Sequence, residues 1–345
     1  MKIWFIKSGF SASRVLGRSA EEYLRREFAA FDSQTAESES ECEFSDDGLD
    51  VVIPLDMPLV TAEDINRGAD YVRKHHIGVL ALGSENSGAK IVSDMGGRSG
   101  YFLSSPSFVK VDSAKNFRLV YNQMKERIVD RLLESGVFVY DAASTFIDDT
   151  AVIEPGAEIL PFSRIEGDTF IAGGARVESS VLSDCRIESG ASVIMSHLAD
   201  TRVGAGSTVG PFARLRGADV GEGCRVGDFV EIKNSFFGNG AKSAHLAYIG
   251  DAEVGEGSNI GCGTVFCNYD GRLKHRTSVG KGCFIGANVN LVAPVKVDDG
   301  AFVAAGTTVT QDVEKDGFAI GRSRQINKLR KTDADGKDFT DGGKQ

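Results

Sequence analysis

Of the five histidines in this 345-residue chain, His245 alone lies among residues that could do chemistry with it. Arg214, Arg216 and Lys233 precede it, and Tyr248 and Asn259 follow. A neutral imidazole is the usual general base near pH 7, and cations grouped around one suit an anionic substrate that must give up a proton. The other histidines fall on a predicted helix (His75, His76), in a spacer (His197) and in a projecting loop (His275). A second basic group follows Ile320, where Arg322, Arg324, Lys328, Arg330 and Lys331 occur within ten residues. It is either a solvated tail or a clamp for a phosphorylated ligand. Other chemistries lack their residues: there is no GxSxG elbow, no HExxH, no Walker loop and no intact GxGxxG. Ser8-Gly9-Phe10-Ser11 is poor in glycine for a phosphate cradle. Cys42, Cys185, Cys224, Cys262, Cys267 and Cys283 form no CxxC pair and have no histidine at metal spacing. They are expected to be reduced thiols acting as small hydrophobes, and no metal site is expected from them.

The elements that must position His245 have an unusual period. An aliphatic residue returns at every sixth position in Ile153, Ile159, Ile165, Ile171, Val177, and again in Val279, Ile285, Leu291, Val297, Val303, Val309. Gly, Ala, Ser, Asp and Glu fill the intervals. Neither a helix nor simple strand alternation gives this pattern, whereas a parallel β-helix does, each repeat forming one face of a coil. The interior of such a solenoid is too thin for a cavity, so chemistry belongs outside, where the repeat is interrupted.

Two interruptions stand out. After Val254, Ile260 and Phe266 the next aliphatic position is Val279, so seven extra residues lie within Asn268–Thr277. They must project as a loop, which costs little stability and is a common place for function. If three six-residue faces make a coil, positions 18 apart stack. Allowing for the seven inserted residues, Cys262, Ala287 and Ala305 then share one column beside Gly261, Gly286 and Ala304. This stripe of small residues either just permits tight corners or leaves a groove for a slender amide chain such as pantetheine. The second, weaker interruption holds His245 itself.

Residues 1–135 read as an α/β unit: a strand over 51–55 leading to Asp56, a helix over 62–75 capped at Thr61, and an acidic, Ser-rich mobile loop over 33–48. A helix over 116–134 would place Leu119, Met124, Ile128 and Leu132 on one side, end at Gly136, and cover the open end of a solenoid running from about Ala143 to Val313. The polar segment 326–345 is expected to be a flexible tail. A net charge of −10 argues against a general nucleic-acid binder. With no signal-peptide h-region and no apolar run near 20 residues, a soluble cytoplasmic protein without a membrane span is expected.

One family carries these motifs together. Gly210-Pro-Phe-Ala-Arg-Leu-Arg216, Val230-Glu-Ile-Lys-Asn234, His245-Leu-Ala-Tyr-Ile-Gly-Asp251, Asn259-Ile-Gly261, Cys267-Asn-Tyr-Asp-Gly271, Leu291-Val-Ala-Pro-Val295 and Ala304-Ala-Gly-Thr-Thr-Val-Thr310 keep its order and spacing up to Arg322. Residues 140–325 thus closely resemble the acetyltransferase half of the bifunctional UDP-N-acetylglucosamine pyrophosphorylase/glucosamine-1-phosphate N-acetyltransferase family. The resemblance implies a mainly β protein, a left-handed parallel β-helix of hexapeptide repeats preceded by a small α/β domain. It implies a homotrimer with sites between subunits, acetyl-CoA as donor, and a place in UDP-N-acetylglucosamine and cell-wall synthesis. Its catalytic base falls on His245. Its sugar-phosphate contacts fall on Arg216, Lys233, Tyr248, Asn259 and Lys274, and its acetyl-CoA contacts on Cys262, Asn268, Tyr269, Ala287, Ala305 and Arg322. Cys262 stands where the family has alanine, and Ala287 where it has serine. Glu231 is a candidate to orient His245.

The N-terminal part resembles the family less. Val52-Ile-Pro-Leu-Asp-Met-Pro-Leu59 is similar to the strand ending in a magnesium-binding Asp, here Asp56, and Asn116-Phe-Arg118 to the segment with the second metal ligand, here Asn116. The family's nucleotide-wrapping loop, Leu-Ala-Ala-Gly-x-Gly-Thr-Arg-Met, is missing, and the unit is much shorter than the family's. A reduced, inactive nucleotidyltransferase-like domain is expected, with Mg2+ relevant only if uridylyltransferase activity persists. The alternatives are an acyltransferase for another amino sugar or sugar nucleotide, a bifunctional enzyme, and a non-catalytic solenoid scaffold.

Overall fold

The computed structural model describes residues 1–10, 14–45, 48–84, 87–94 and 97–327. Near the N-terminus six strands form a mixed sheet in the order Asp32–Ala36, Lys2–Ile6, Leu49–Pro54, Lys90–Ser93, Val79–Leu82, Tyr101–Leu103. Leu49–Pro54 is apolar apart from Asp50 and wholly buried, as a central strand requires. It runs parallel to Lys2–Ile6 and antiparallel to Lys90–Ser93. Helix α1 (Ala20–Glu27) starts from a Ser19/Glu22 capping box, and α2 (Ala62–His75) from the expected cap at Thr61, closed by Asp64. The segment 33–48 corrects the sequence reading, because Asp32–Ala36 is the edge strand along Lys2–Ile6 and Glu39–Glu41 is a 3-10 turn. An edge strand needs backbone pairing on one side only, so polar composition does not forbid it.

Helix α3 (Ala114–Glu134) buries Val120, Met124, Ile128, Val129 and Leu132. Leu119, expected on that side, is instead 44% exposed. Residues four apart share a helix face, so Val120 and not Leu119 lines up with Met124. Met124, Ile128 and Leu132 join the same apolar cluster as Ile147, Ile153 and Ile159. The helix thereby plugs the open end of the solenoid.

The β-helix is as expected in class: a left-handed parallel solenoid of hexapeptide repeats, with strands of mostly two or three residues laid coil upon coil. Its first face stacks Ile153, Ile171, Ile187, Val203, Val220, Phe237, Val254, Val279 and Val297, all buried. The other two faces merge into one large sheet. The ladder runs past the regular six-residue repeats at both ends. Phe138–Val139 pairs with Glu158–Ile159, and Phe318–Ala319 with Phe302–Val303. Val139 and Ala319 pack against the core there, although neither continues a six-residue run.

The period itself is not uniform. Ile171 stacks on Ile187, 16 residues on, and Val220 on Phe237, 17 residues on, where Ile153 to Ile171 takes 18. Several shortened corners are turned by one non-glycine residue at positive φ, such as Asp184, Asp200, Asn234 or Asp251. Asn and Asp tolerate that conformation better than other side chains. The inserted loop leaves between Val265–Cys267 and Thr277–Val279, and the ladder resumes with Val254 opposite Val279. The six cysteines are free thiols. Among the described residues no helix is long and apolar enough to cross a membrane. Of the expected tail 326–345, the part from Lys328 onward lies outside the described residues.

Candidate active site

The weaker interruption that holds His245 is a bend in one strand. His245 belongs to Lys242–Gly250, a nine-residue strand that bends round a corner and pairs along its length with Arg225–Lys233. The bend is made at Leu246 and Phe229, with φ of 27° and 59°. His245 lies directly opposite Asp228, and its Nδ1 is 2.9 Å from Asp228 Oδ1. The Asp228 carboxyl is held below its usual range by its own backbone N–H and by His245. Glu231, the orienter expected from the sequence, is engaged elsewhere: it accepts from the Arg216 guanidinium. The side chain that meets the imidazole is one coil earlier than His245, on the same corner.

On the next face the cations converge. Arg216 is in register with Lys233, and the projecting loop brings Lys274 into contact with Lys233. That contact pushes the Lys233 pKa down, with burial and the Lys274 charge adding to it. Two ammonium groups in contact repel, and an anion between them would remove the conflict. The Arg216 Nε is buried with no hydrogen-bond partner, a donor left to spare. Asp251 sits beside this group, accepting from Asn234 at 3.3 Å and from Asn268. Asn268 Nδ2 is also 3.4 Å from Tyr248 Oη. The Asn268 side chain, assigned to acetyl-CoA by resemblance, is thus buried beside the cation group in this single chain.

The loop is braced from within. Asp270 accepts from the Arg272 and Leu273 N–H groups at 2.7 Å each, and its other oxygen meets His275 Nε2 at 2.8 Å. These bonds hold its pKa down at about 2. Tyr269 pairs with Lys274 across the loop and is itself 59% exposed. Asn259 is placed apart from the cation group, between Lys242 and Phe284 on a different face.

The predicted column exists. Ile260, Ile285 and Val303 are in register, which stacks Cys262, Ala287 and Ala305 two positions on. Asn288 N–H donates to Cys262 carbonyl and Gly306 N–H to Ala287 carbonyl, at 2.8 Å each. Beside them the backbones approach so closely that a Cβ on Gly261 would lie 2.6 Å from Gly286 C, and one on Gly286 would lie 2.5 Å from Ala305 N. Those positions admit only glycine. Arg322 Nη1 donates to Ala305 carbonyl at 2.7 Å and stands at the far end of the stripe. Arg324 is exposed, while Lys328, Arg330 and Lys331 lie outside the described residues.

At the end of the N-terminal sheet, Val111 N–H donates to the Asp56 carbonyl at 2.8 Å, which brings the start of α3 against that strand. Asp56 is buried; its Oδ2 accepts from Ser8 at 2.6 Å and its Oδ1 has no partner. Asn116 Nδ2 donates to Asp112 at 2.8 Å. The orphaned carboxylate oxygen fits a cation position in chemistry, but no cluster of three His, Cys, Asp or Glu side chains surrounds it among the described residues.

Comparison with known proteins bears on this geometry. Residues 276–311 match the family of bacterial transferase hexapeptide (six repeats). The bifunctional protein GlmU of Brevibacillus brevis is 45% identical over 224 residues, 60% of this chain and 45% of that protein. The GlmU of Caldanaerobacter subterraneus is 40% identical over 242 residues, 69% of this chain and 53% of its own length. LpxA from Acinetobacter baumannii superposes on 54% of this chain and 71% of its own at 14% identity, with a TM-score of 0.39, a likeness too loose to inform the site. The resemblance read from the motifs therefore holds: the chain is similar to the bifunctional GlmU proteins, matches the bacterial hexapeptide transferase repeats over residues 276–311, and spans about half the length of the curated relatives it matches.

Proposed function

We propose that this protein transfers the acetyl group of acetyl-CoA to the amine of glucosamine 1-phosphate, giving the N-acetylglucosamine 1-phosphate used for UDP-N-acetylglucosamine and cell-wall synthesis in the cytoplasm. The observation that carries the reading is one corner of the β-helix. On it a histidine heads a column of small residues, Cys262, Ala287 and Ala305, that ends on a cation, Arg322. Such a column suits a pantetheine arm, with the CoA phosphates toward Arg322 and the thioester toward His245; Asn268 and Tyr269 are the further acetyl-CoA contacts that the resemblance supplies. Arg216, Lys233 and Lys274 suit the sugar phosphate, with Tyr248 and Asn259 orienting the sugar.

In the reaction His245 takes a proton from the substrate ammonium, freeing the lone pair. The amine nitrogen bonds to the thioester carbon, and the C–S bond then breaks. CoA leaves as a thiolate, and the nitrogen gives up its second proton as the amide forms. Of the two protons lost by nitrogen, one goes to the sulfur and the other is released from His245 to solvent. General-base help of this kind is worth about 10²–10⁴-fold. A backbone N–H beside the Cys262/Ala287 column would hold the transient oxyanion. A homotrimer with shared sites belongs to the proposal. In one chain Asn259 lies on a different face from the cation group, so a neighbouring copy is needed to bring the two sets together.

The test is free-CoA release with glucosamine 1-phosphate, in the wild type and in His245→Ala. Activity should fall at least about 10²-fold in the variant, with acetyl-CoA binding retained. Near-normal turnover would remove His245 from the mechanism, and no thiol release at all would favour a scaffold. An acceptor screen separates glucosamine 1-phosphate from other amino sugars. Residues 1–135 are proposed to be a reduced nucleotidyltransferase-like domain without uridylyltransferase activity. Release of pyrophosphate from UTP with Mg2+ would overturn that.

A further inference from the structure

Asp228 has no role in the reading above, and its position gives it one that rests on His245 being the base. We infer that Asp228 is a positioning residue, which fixes the imidazole with its proton on Nδ1 and leaves Nε2 as the nitrogen that accepts the substrate proton. An ionised carboxylate can only accept hydrogen bonds. With Asp228 Oδ1 at 2.9 Å from Nδ1, that nitrogen must be the donor, and the neutral ring then carries its lone pair on Nε2. The carboxylate also stabilises the imidazolium that forms as the proton arrives, without taking the proton itself.

The backbone makes this pairing firm. Arg225–Lys233 and Lys242–Gly250 pair from one face, round the corner, to the next. A Cβ on Gly227 would lie 1.8 Å from the Ala244 carbonyl oxygen, so the two strands touch immediately before the Asp228–His245 pair. Phe229 and Leu246 then bend both strands at the same place, and the two side chains leave the corner together. Glu231 cannot substitute, because Arg216 holds it. The other groups around the pair are Arg225, which acts on Asp228 from its own strand; Lys242 and Tyr248, on the strand of His245; and the Cys262 thiol, one coil further on. Among the described residues, Asp228 is the one whose hydrogen bond to the ring is seen.

The experiment compares Asp228→Ala and Asp228→Asn in the full chain, reading steady-state kinetics against pH and the ¹⁵N spectrum of the His245 ring. Both positions are well exposed, with side chains 39% and 59% accessible, so the variants should fold. Asp228→Ala should lower kcat about tenfold or more, short of the whole effect of the base, leave both KM values in place, and let the neutral ring populate the Nε2-protonated form. Asp228→Asn keeps an acceptor but removes the charge. It should recover part of kcat and keep the neutral ring protonated on Nδ1. Turnover surviving in His245→Ala would sink the base and this proposal with it. Turnover lost in His245→Ala, but untouched in Asp228→Ala with the tautomer unchanged, would overturn the role of Asp228 alone.

Discussion

His245 and Cys262 occupy the same corner position on successive coils: the pairings Lys242 to Asn259 and Tyr248 to Val265 bracket them at one constant offset. The base therefore heads the column that Ala287 and Ala305 continue. A cofactor arm lying along that column would need every exposed side chain in it to be small. Ala287→Leu adds a branched side chain to an exposed position without entering the core. The KM for acetyl-CoA should rise about tenfold or more, equivalent to about 1.4 kcal/mol. The KM for glucosamine 1-phosphate and the melting temperature should not move. An unchanged acetyl-CoA KM would mean the arm lies elsewhere.

The same corner changes character at His245. Toward the N-terminus its left-handed position carries Phe212, Phe229 and Leu246, each more than half exposed, the two rings stacked 5.5 Å apart. Toward the C-terminus the equivalent positions are Gly263, Asn288 and Gly306. An acyl chain entering from the Arg322 end would meet Leu246 just past the thioester. Leu246→Ala should raise kcat/KM for propionyl-CoA relative to acetyl-CoA by about tenfold, the usual worth of one methylene in a fitted site. The ratio of the two substrates is the measurement, and an unaltered ratio removes Leu246 as the limit on chain length.

The inward ladder was legible because each coil must bury an aliphatic residue at a fixed place, and the column of Cys262, Ala287 and Ala305 followed by counting. Counting failed where corners shorten. A strict 18-residue step back from His245 lands on Gly227, whereas the coil is 17 residues long and brings Asp228 opposite. Strict counting thus passes over Asp228, and Glu231, the candidate read from the sequence, pairs opposite Tyr248 instead. Asn268 illustrates a different limit. Its place at the root of the loop was clear, but burial of its amide against Asp251 and Tyr248 depends on how the loop folds back. Polar composition likewise concealed the edge strand at Asp32–Ala36, since backbone pairing leaves no mark in hydropathy.

The projecting loop should depend on Asp270. Its carboxylate ties two N–H groups and His275, and the loop in turn presents Lys274 to Lys233. Asp270→Ala removes those bonds at an exposed site, so global stability should change little. The KM for glucosamine 1-phosphate should rise at least about fivefold with kcat less affected. The same rise in Lys274→Ala, and no further rise in the double variant, would show that the two act through one contact. Additive losses would show that they do not.

A pH-dependent clasp joins the N-terminal unit to the solenoid. The Asp149 side chain, 2% exposed, is shared by Arg18 at 2.6 Å, Arg131 at 2.8 Å, and Arg26. Burial alone would raise its pKa, but the bonds from Arg18 and Arg131 and the three positive charges outweigh that and hold it below the usual range. The stability this confers is complete above the ordinary Asp value of about 3.9 and is lost as pH falls through the lowered native value. Asp149→Asn should cost about 2–3 kcal/mol at pH 7, toward the lower end for a broken buried pair because the arginines are part-exposed. Denaturant unfolding at pH 7 and at pH 3 checks it. The wild type should lose more stability than the variant between those two values, and parallel losses would assign the acid sensitivity to other carboxylates.

Ser243 breaks the inward ladder two residues before the base. It is fully buried in register with Val226, in a row that continues with Ile260, and its hydroxyl has no hydrogen-bond partner. A buried hydroxyl left unpaired costs about 1–3 kcal/mol, and the added methyl of valine contributes about 0.8 kcal/mol if it packs. Crowding against Val226 and Ile260 opposes the gain. Ser243→Val should therefore stabilise the protein by about 1–2 kcal/mol and raise the melting temperature by a few degrees. Turnover should be unchanged, because Ser243 faces the interior and His245 the solvent. A lowered melting temperature would show that the coil cannot take the extra volume. Lost turnover at unaltered stability would show that the spacing of His245 from Asp228 depends on the small side chain behind it.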